Sequence, residues 1–382
     1  MELTLSPRPR EPVPAVPPSA KPMGPPPLRG ASGQHPSPPT NPVILTRTVL
    51  ILLFLIPSLL RAGDRKPKGA FGLFVENDVF ALSDGGYTSG VDLVWLSPAL
   101  DGARGRAPRW ADGLSRRLAP SSKTGARRFV SFSLTQRMYT PEDVTRSDLI
   151  DDDRPYAGVL TAGLGFHFRS GNSMDTLRFE AGVVGPLSLA GDIQKLLHSA
   201  FRWTLPEGWE HQLRNEPVLG LEFDRRQRLR SASGAAGLDW EIIGHLGGNL
   251  SNLLTAFGGG IEIRAGWNLP WDLGTSLLGP ASDAAVLLVD PEPLPPRPDR
   301  LGFHIFVALE TRLVGRDLLL DGNTFRASHR VQKLPLTADL AAGLALRYRR
   351  FKACLSYTYQ SQRFVGQHLR PVFGSLDLSF LF

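Results

Sequence analysis

From about residue 70 onward, apolar and polar positions alternate with a period of two, the repeat of a β-strand rather than of a helix. The stretch Leu336 to Tyr348 is the clearest: Leu336, Ala338, Leu340, Ala342, Leu344, Leu346 and Tyr348 share one face, and Thr337, Asp339, Gly343 and Arg347 share the other. Phe303, Ile305, Val307 and Leu309 alternate with His304, Phe306, Ala308 and Glu310. Ile261, Ile263 and Trp267 alternate with Glu262, Arg264 and Gly266. A soluble sandwich also alternates, but its strands are usually only about five or six residues long. Here the segments run to roughly ten residues with charges confined to one face, which is how a membrane barrel reads when its apolar face meets lipid.

Twelve such segments can be counted, at approximately 70–80, 87–97, 128–137, 156–168, 175–185, 217–229, 236–248, 255–268, 302–314, 336–349, 351–361 and 372–382. The predicted fold is all-β: a closed antiparallel transmembrane β-barrel of about twelve strands over residues 70–382. An even count places both ends of the barrel on the periplasmic side, and closure removes the strand edges that invite aggregation. The last segment sets Leu376, Leu378, Phe380 and Phe382 against Ser375, Asp377 and Ser379. A terminal aromatic ending an alternating strand resembles the signal read by the outer-membrane barrel assembly machinery, an expected partner.

The first 70 residues differ. Fourteen of the first 42 are Pro, with no apolar periodicity, so residues 1–46 read as a disordered leader, or as an over-extended start with a second Met at 23. Arg47 then precedes an uncharged run, Val49 to Leu60, and small residues at Ala62–Gly63. Twelve apolar residues fall short of the roughly 20 that a spanning helix needs. Residues 47–63 therefore read as a signal peptide, with an uncleaved anchor as the alternative.

The formal net charge of +7 changes meaning once it is located. Residues 1–70 hold nine Lys/Arg and three Asp/Glu, or +6, which leaves about +1 for the other 312 residues. A near-neutral body argues against a nucleic-acid surface. The single Cys excludes an intrachain disulfide and any multi-Cys metal site.

If the first strand runs outward, every odd-to-even connection lies at the extracellular end, and those connections hold the polar clusters. The first has Glu76-Asn77-Asp78-Val79-Phe80 and Gly86-Tyr87-Thr88-Ser89-Gly90. The next has Tyr139-Thr140-Pro141 and Asp153-Arg154-Pro155-Tyr156-Ala157-Gly158. The third has Gly185-Pro186, a helix-like stretch around His198, and Gly208-Trp209 through Asn215-Glu216-Pro217. Each has a plain explanation alone: Asn-Asp at a strand end is turn chemistry, a surface His is commonly solvated, and Asp151–Asp153 is a wet loop or a cation contact. Their convergence on one rim is what carries weight. Two long links on the other rim, 98–127 and 269–301, are rich in Pro, Gly and Arg and suggest no role.

Taken in order, these clusters resemble the outer-membrane lipid A 3'-O-deacylases of LpxR type. The resemblance covers residues 70–382 and rests on ENDxF at 76–80, YTxG at 87–90, QxMYTP at 136–141, DRPYAG at 153–158, GxxGP at 182–186, His198 and GWxxQLxNEP at 208–217. It implies a twelve-stranded outer-membrane barrel that removes an ester-linked acyloxyacyl group from lipid A of lipopolysaccharide, calcium-dependent and facing outward. It further implies that Asn77 and Asp78 serve metal and oxyanion, Asp78 as metal ligand, with Thr88 the neighbouring polar position and His198 the general base. Those residue types suit ester hydrolysis: an imidazole takes a proton from water, and a cation held by a carboxylate and carbonyl oxygens stabilises the oxyanion. Ser89 and Ser199 are weaker candidates as covalent nucleophiles, lacking any recognisable elbow. One departure is present. Members of the family carry Glu and Tyr six and eight residues after the His, where this chain has Thr204 and Pro206. Two other readings stay open: an outer-membrane phospholipase, and a non-catalytic structural barrel or small pore.

Overall fold

The computed structural model describes residues 69–77, 86–100, 109–119, 125–234, 237–275, 301–368 and 372–382, with only the backbone described for 86–88 and 109. The leader and signal segments, together with Asp78, lie outside the described residues. Twelve strands form one closed antiparallel barrel, each hydrogen-bonded to its sequence neighbours. They are β1 (Ala70–Asn77), β2 (Gly86–Leu96), β3 (Arg127–Thr140), β4 (Ala157–Ser170), β5 (Ser173–Val184), β6 (Glu216–Ser233), β7 (Leu238–Ser251), β8 (Leu254–Trp267), β9 (Gly302–Asp317), β10 (Leu336–Tyr348), β11 (Phe351–Gln360) and β12 (Val372–Leu381). The seam runs in continuous register from Ala70↔Leu381 to Asn77↔Gly374. The expected barrel, its strand number and the helical segment near His198 are all present. Helix α1 (Arg109–Leu118) lies in the β2–β3 link and α2 (Ala190–Phe201) in the β5–β6 link.

Alternation places side chains as the period predicts. On β6, Glu222, Asp224, Arg226 and Arg228 are buried in the lumen, while Leu219, Leu221 and Phe223 are exposed on the outer wall. The β1–β2, β3–β4 and β5–β6 connections share one rim, called here the upper rim; the chain ends of the barrel and the β2–β3 and β8–β9 links share the lower rim.

The lumen is filled. At the upper rim Ala157, Val159, Val184 and Val218 close around Leu213, Leu318 and Leu319. At the lower rim Leu273 packs with Phe74, Val94, Phe129 and Met174. Leu273 belongs to the β8–β9 link, for which the sequence suggested no role; residues 269–275 turn inward and supply a plug. Asp272 accepts from Arg264 Nη1 at 2.5 Å and from Lys352 Nζ at 2.8 Å. Thr275 N donates to Glu262 at 2.8 Å, and Thr275 Oγ1 meets His304 Nε2 at 2.8 Å. Arg264 and Arg228 both also pair with Glu241. Charges buried in this way require such partners, because the desolvation cost of each is several kcal/mol if left uncompensated. Among the described residues the lumen is packed towards both ends and cross-linked in the middle, which argues against a wide pore.

Two outcomes follow. The folded barrel should give no stable conductance steps in planar bilayers. Arg264→Ala, which leaves Asp272 only Lys352 and Glu241 only Arg228 as cationic partners, should cost about 3 kcal/mol and lower the temperature at which the heat-modifiable band shifts on a gel.

Candidate active site on the outer wall at the upper rim

The sequence around α2 folds as it does because of what lies beneath it. On β3 the even-numbered residues face outward, as the exposed Phe132 and Leu134 show. Gln136 and Met138 continue that face to the rim. Met138 is buried there against Tyr156, Ala190 and Trp209, with Ile193 alongside. Gln136 Nε2 donates to the Ser188 carbonyl at 2.7 Å. Helix α2 therefore packs against the outside of the barrel, not in its mouth.

The docking depends on several residues of the clusters found in the sequence. Gly158, the register partner of Met138, leaves no room for a side chain: a Cβ there would overlap Ser188 Oγ and Ala190 Cβ. The Gly185–Pro186 pair starts a 3₁₀ turn over Pro186–Ser188, with Gly185 at φ 102, a left-handed value that favours glycine. Asn215 Oδ1 accepts from Leu187 N at 2.8 Å, and Leu213 N donates to the Tyr156 carbonyl at 2.9 Å. Trp209 packs against Tyr156 with the rings tilted at 55° and centroids 5.1 Å apart, and donates from Nε1 to Gln194 Oε1 at 2.6 Å, in a buried bond. Glu216 accepts from Thr324 N at 2.7 Å and from Asn323 and Asn252 amides at 3.1 Å each, which ties the end of the link to β6. Both ends of α2 are set by non-glycine residues in the left-handed region, Leu189 at φ 60 and Arg202 at φ 58. Such conformations cost roughly 1–3 kcal/mol each and persist only where the surroundings enforce them.

His198 follows from this placement. Ala190, Gln194 and His198 recur every four residues, so they stack on one stripe of the helix, and Ala190 and Gln194 are buried on the barrel side. His198 is the half-buried end of that stripe. Its Nδ1 donates to the Thr204 carbonyl at 2.5 Å, because a carbonyl oxygen can only accept. That assigns the proton to Nδ1 and leaves the Nε2 lone pair free to act as a base. Trp203 meets the imidazole edge-on at 5.4 Å and stacks on Phe201 at 5.0 Å. At position 204 it is thus the backbone carbonyl, not the side chain, that orients the ring.

Asn77 ends β1 directly opposite Ser89, and Ser89 is opposite Met138. This ladder runs across three strands to the wall under α2, and all three positions fall on the outward-facing parity. Thr88 occupies the irregularity between Tyr87 and Ser89, where the β2–β3 register shifts. Ser199, next to His198 on the helix, points about 100° away from it, since successive helical residues diverge by that angle. Asp153 is occupied in loop geometry, accepting from Glu142 N and Arg154 N at 2.6 Å each. Arg154 is buried with its guanidinium over the Tyr139 ring at 4.5 Å, and burial lowers its pKa from the ordinary value. Trp209, Gln194 and Ser188 carry the dock; the sequence marked Trp209 only as part of a motif and did not mark Gln194 or Ser188. The only signal was the fixed spacing of the motif that holds Trp209 and, for Gln194, a place four residues before the His.

A family model described as "Outer membrane protein LpxR" matches residues 48–382. The chain belongs to the LpxR family. Among solved structures it is similar to LpxR from Salmonella typhimurium, at 17% identity and a TM-score of 0.66, covering 82% of this chain and 100% of that one. The β-domain of the Bordetella autotransporter BrkA, at 9% identity, has a TM-score of 0.41 and coverage of 83% and 100%. No curated protein sequence matches the chain. LpxR membership makes this an outer-membrane barrel, with the outer wall described above as its lipid-facing surface. In this LpxR-family chain the lipid-facing wall and the α2 helix form one continuous surface.

Substituting Gly158→Ala should lift α2 from the wall while leaving strand pairing intact. Protease cleavage within 186–215 should accelerate at least tenfold, with the heat-modifiable band unchanged. Equal cleavage rates in parent and variant would show that α2 does not depend on this contact.

Proposed function

We propose that the protein is an outer-membrane ester hydrolase that removes an acyloxyacyl group from lipid A, with the upper rim extracellular and His198 as general base. One observation carries the reading: a His with its Nδ1 proton committed to a carbonyl sits on the lipid-facing flank of the barrel, among exposed apolar side chains. Leu187, Leu189, Leu196, Leu197 and Leu205, all in the same β5–β6 link, are exposed. A base for a water-soluble substrate has no use for such surroundings, whereas the acyl chains of a lipid anchored in the outer leaflet reach this flank directly.

In this reading Nε2 of His198 takes a proton from water as the water oxygen attacks the ester carbonyl. The tetrahedral intermediate collapses with cleavage of the C–O bond, and the proton passes to the departing sugar oxygen. The products are a sugar hydroxyl and the acyloxyacyl acid. Thr204 keeps the ring in the basic tautomer through each turnover, and Trp203 restricts its rotation. Asn77 ends β1, Asp78 follows it in sequence, and these with Thr88 are residue types that carry oxygen donors; Ser89, opposite Asn77, adds a hydroxyl. A set of this kind suits a hard cation such as calcium, with Asp78 supplying the negative charge. Bound there, calcium would stabilise the oxyanion. Sugar and phosphate groups would remain at the rim while the acyl chains lie along the wall.

Lipid A mass spectrometry after expression tests the assignment. Parent protein should remove one acyloxyacyl unit, and His198→Ala should reduce removal by at least 10²-fold, within the usual range for a general base. Release of fatty acid from phospholipids with lipid A unchanged would move the protein to the phospholipases. Excess chelator should halt the reaction without unfolding the barrel, and Asp78→Asn should raise the calcium concentration needed for half-maximal rate. Full activity in chelator would exclude the metal-assisted route.

A further inference from the structure

The β2–β3 link, for which the sequence suggested no role, contains the second helix on the outer wall. We infer that α1 is an interfacial anchor for anionic phospholipid at the lower rim, the end of the barrel opposite α2. Three faces of the helix support this. Ala111 and the Ser115 side turn toward the barrel, where Ala111 packs with Leu100, Val130, Phe166 and Phe168. Arg128 on β3 pins the same side, donating to Ser115 Oγ at 2.9 Å and pairing with Asp112 at 3.0 Å. Trp110 and Leu114, one turn apart, form the second face and remain 49% and 38% exposed. Trp110 meets Phe132, a residue of the lipid-facing wall, edge-on at 6.3 Å. The apolar edge of α1 thus continues the hydrocarbon-facing surface of the barrel instead of facing water.

The third face carries Arg116, and Arg117, seven residues after Trp110 and three after Leu114, borders the apolar face. Arg116 forms an i,i+4 pair with Asp112 at 3.1 Å, yet its side chain is 67% exposed; Arg117 is exposed as well. In sequence, the link 98–127 holds seven Lys/Arg and two Asp, a balance of +5, within a body that nets only about +1. A short helix packed on the barrel, with Trp110 and Leu114 on its apolar face, Arg117 at the edge of that face and Arg116 beyond it, matches an interfacial helix that draws anionic headgroups. Trp at the headgroup level and Arg reaching past it to phosphate are the usual division of labour there. The chemistry recognised is a phosphodiester lipid with net negative charge, such as phosphatidylglycerol. That this rim meets the phospholipid leaflet rests on the sidedness proposed above; the lipid contact itself does not depend on any hydrolytic activity.

The test uses the barrel refolded in phosphatidylcholine vesicles with and without phosphatidylglycerol. The chain has seven Trp, so the difference between parent and Trp110→Phe isolates the signal of Trp110. That signal should be quenched at least twofold by acyl-brominated lipid and hardly at all by aqueous iodide. Spin-labelled phosphatidylglycerol should associate preferentially over spin-labelled phosphatidylcholine. Arg117→Gln, which spares the Arg116–Asp112 pair, should reduce that preference by up to about fivefold at low salt, on the scale of one surface arginine. Arg116→Gln/Arg117→Gln together should abolish it, as should high salt. Quenching by iodide but not bromine, or an undiminished lipid preference in the double variant with a normal heat-modifiable band, would overturn the proposal. Loss of lipid A hydrolysis in any other variant leaves it standing.

Discussion

Inside a bilayer no water is available to satisfy a backbone N–H or C=O, so a strand can cross only if both of its edges are paired. The seam between β1 and β12 meets that requirement here, from Ala70↔Leu381 to Asn77↔Gly374, and much else depends on it. Closure forces even-numbered residues of β6 inward and odd-numbered ones outward, which is why Arg226 and Asp224 sit in the lumen while Leu219 faces lipid. It also fixes which connections share a rim. Asn77, the β3–β4 link and the helix bearing His198 lie at the same end because twelve strands alternate in direction.

Charges that closure drives inward must then find one another. Arg264 contacts Asp272 and Glu241, and Asp272 in turn accepts from Lys352. The network is as much a filler as a source of stability, since a buried ion pair often gives little net gain over apolar packing. Its structural effect is to hold residues 269–275 inside the barrel.

The outer wall carries both helices, one at each rim, and they are bound to it differently. Helix α2 is held by hydrogen bonds and by the space left at Gly158, an arrangement that keeps an imidazole in one orientation. Helix α1 is held by apolar packing and Arg128, and it exposes Trp110 and Leu114. A positioned base requires the first kind of attachment; a membrane contact requires only that the right face be outward. The left-handed residues Leu189 and Arg202 at the ends of α2 belong to the same economy: conformational strain is tolerated where the surroundings fix a functional helix.

How much of this was legible depended on the range of the interaction involved. Strand period, strand number and the parity of Leu336 to Tyr348 are local properties of the chain, and a pleated backbone converts them directly into two faces. The ordered clusters around Asn77, Thr88 and His198 were legible as a set because the links that hold them follow one another in sequence. By contrast, α1 was missed: its apolar residues alternate with Arg and Gly in a short stretch, and only the wall of β3 and β4 makes it a stable helix. The plug was missed because Asp272 and Leu273 gain meaning only from Arg264, Lys352 and Phe74, which belong to distant strands. Nor could the chain alone show that Thr204 orients His198, since a backbone carbonyl is present at every residue and only the turn after α2 brings this one to Nδ1. Period and composition determined that a barrel forms and which side of each strand meets lipid; the docking of links onto that barrel, which pairs residues far apart in sequence, decided where the His198 imidazole is held and what fills the lumen.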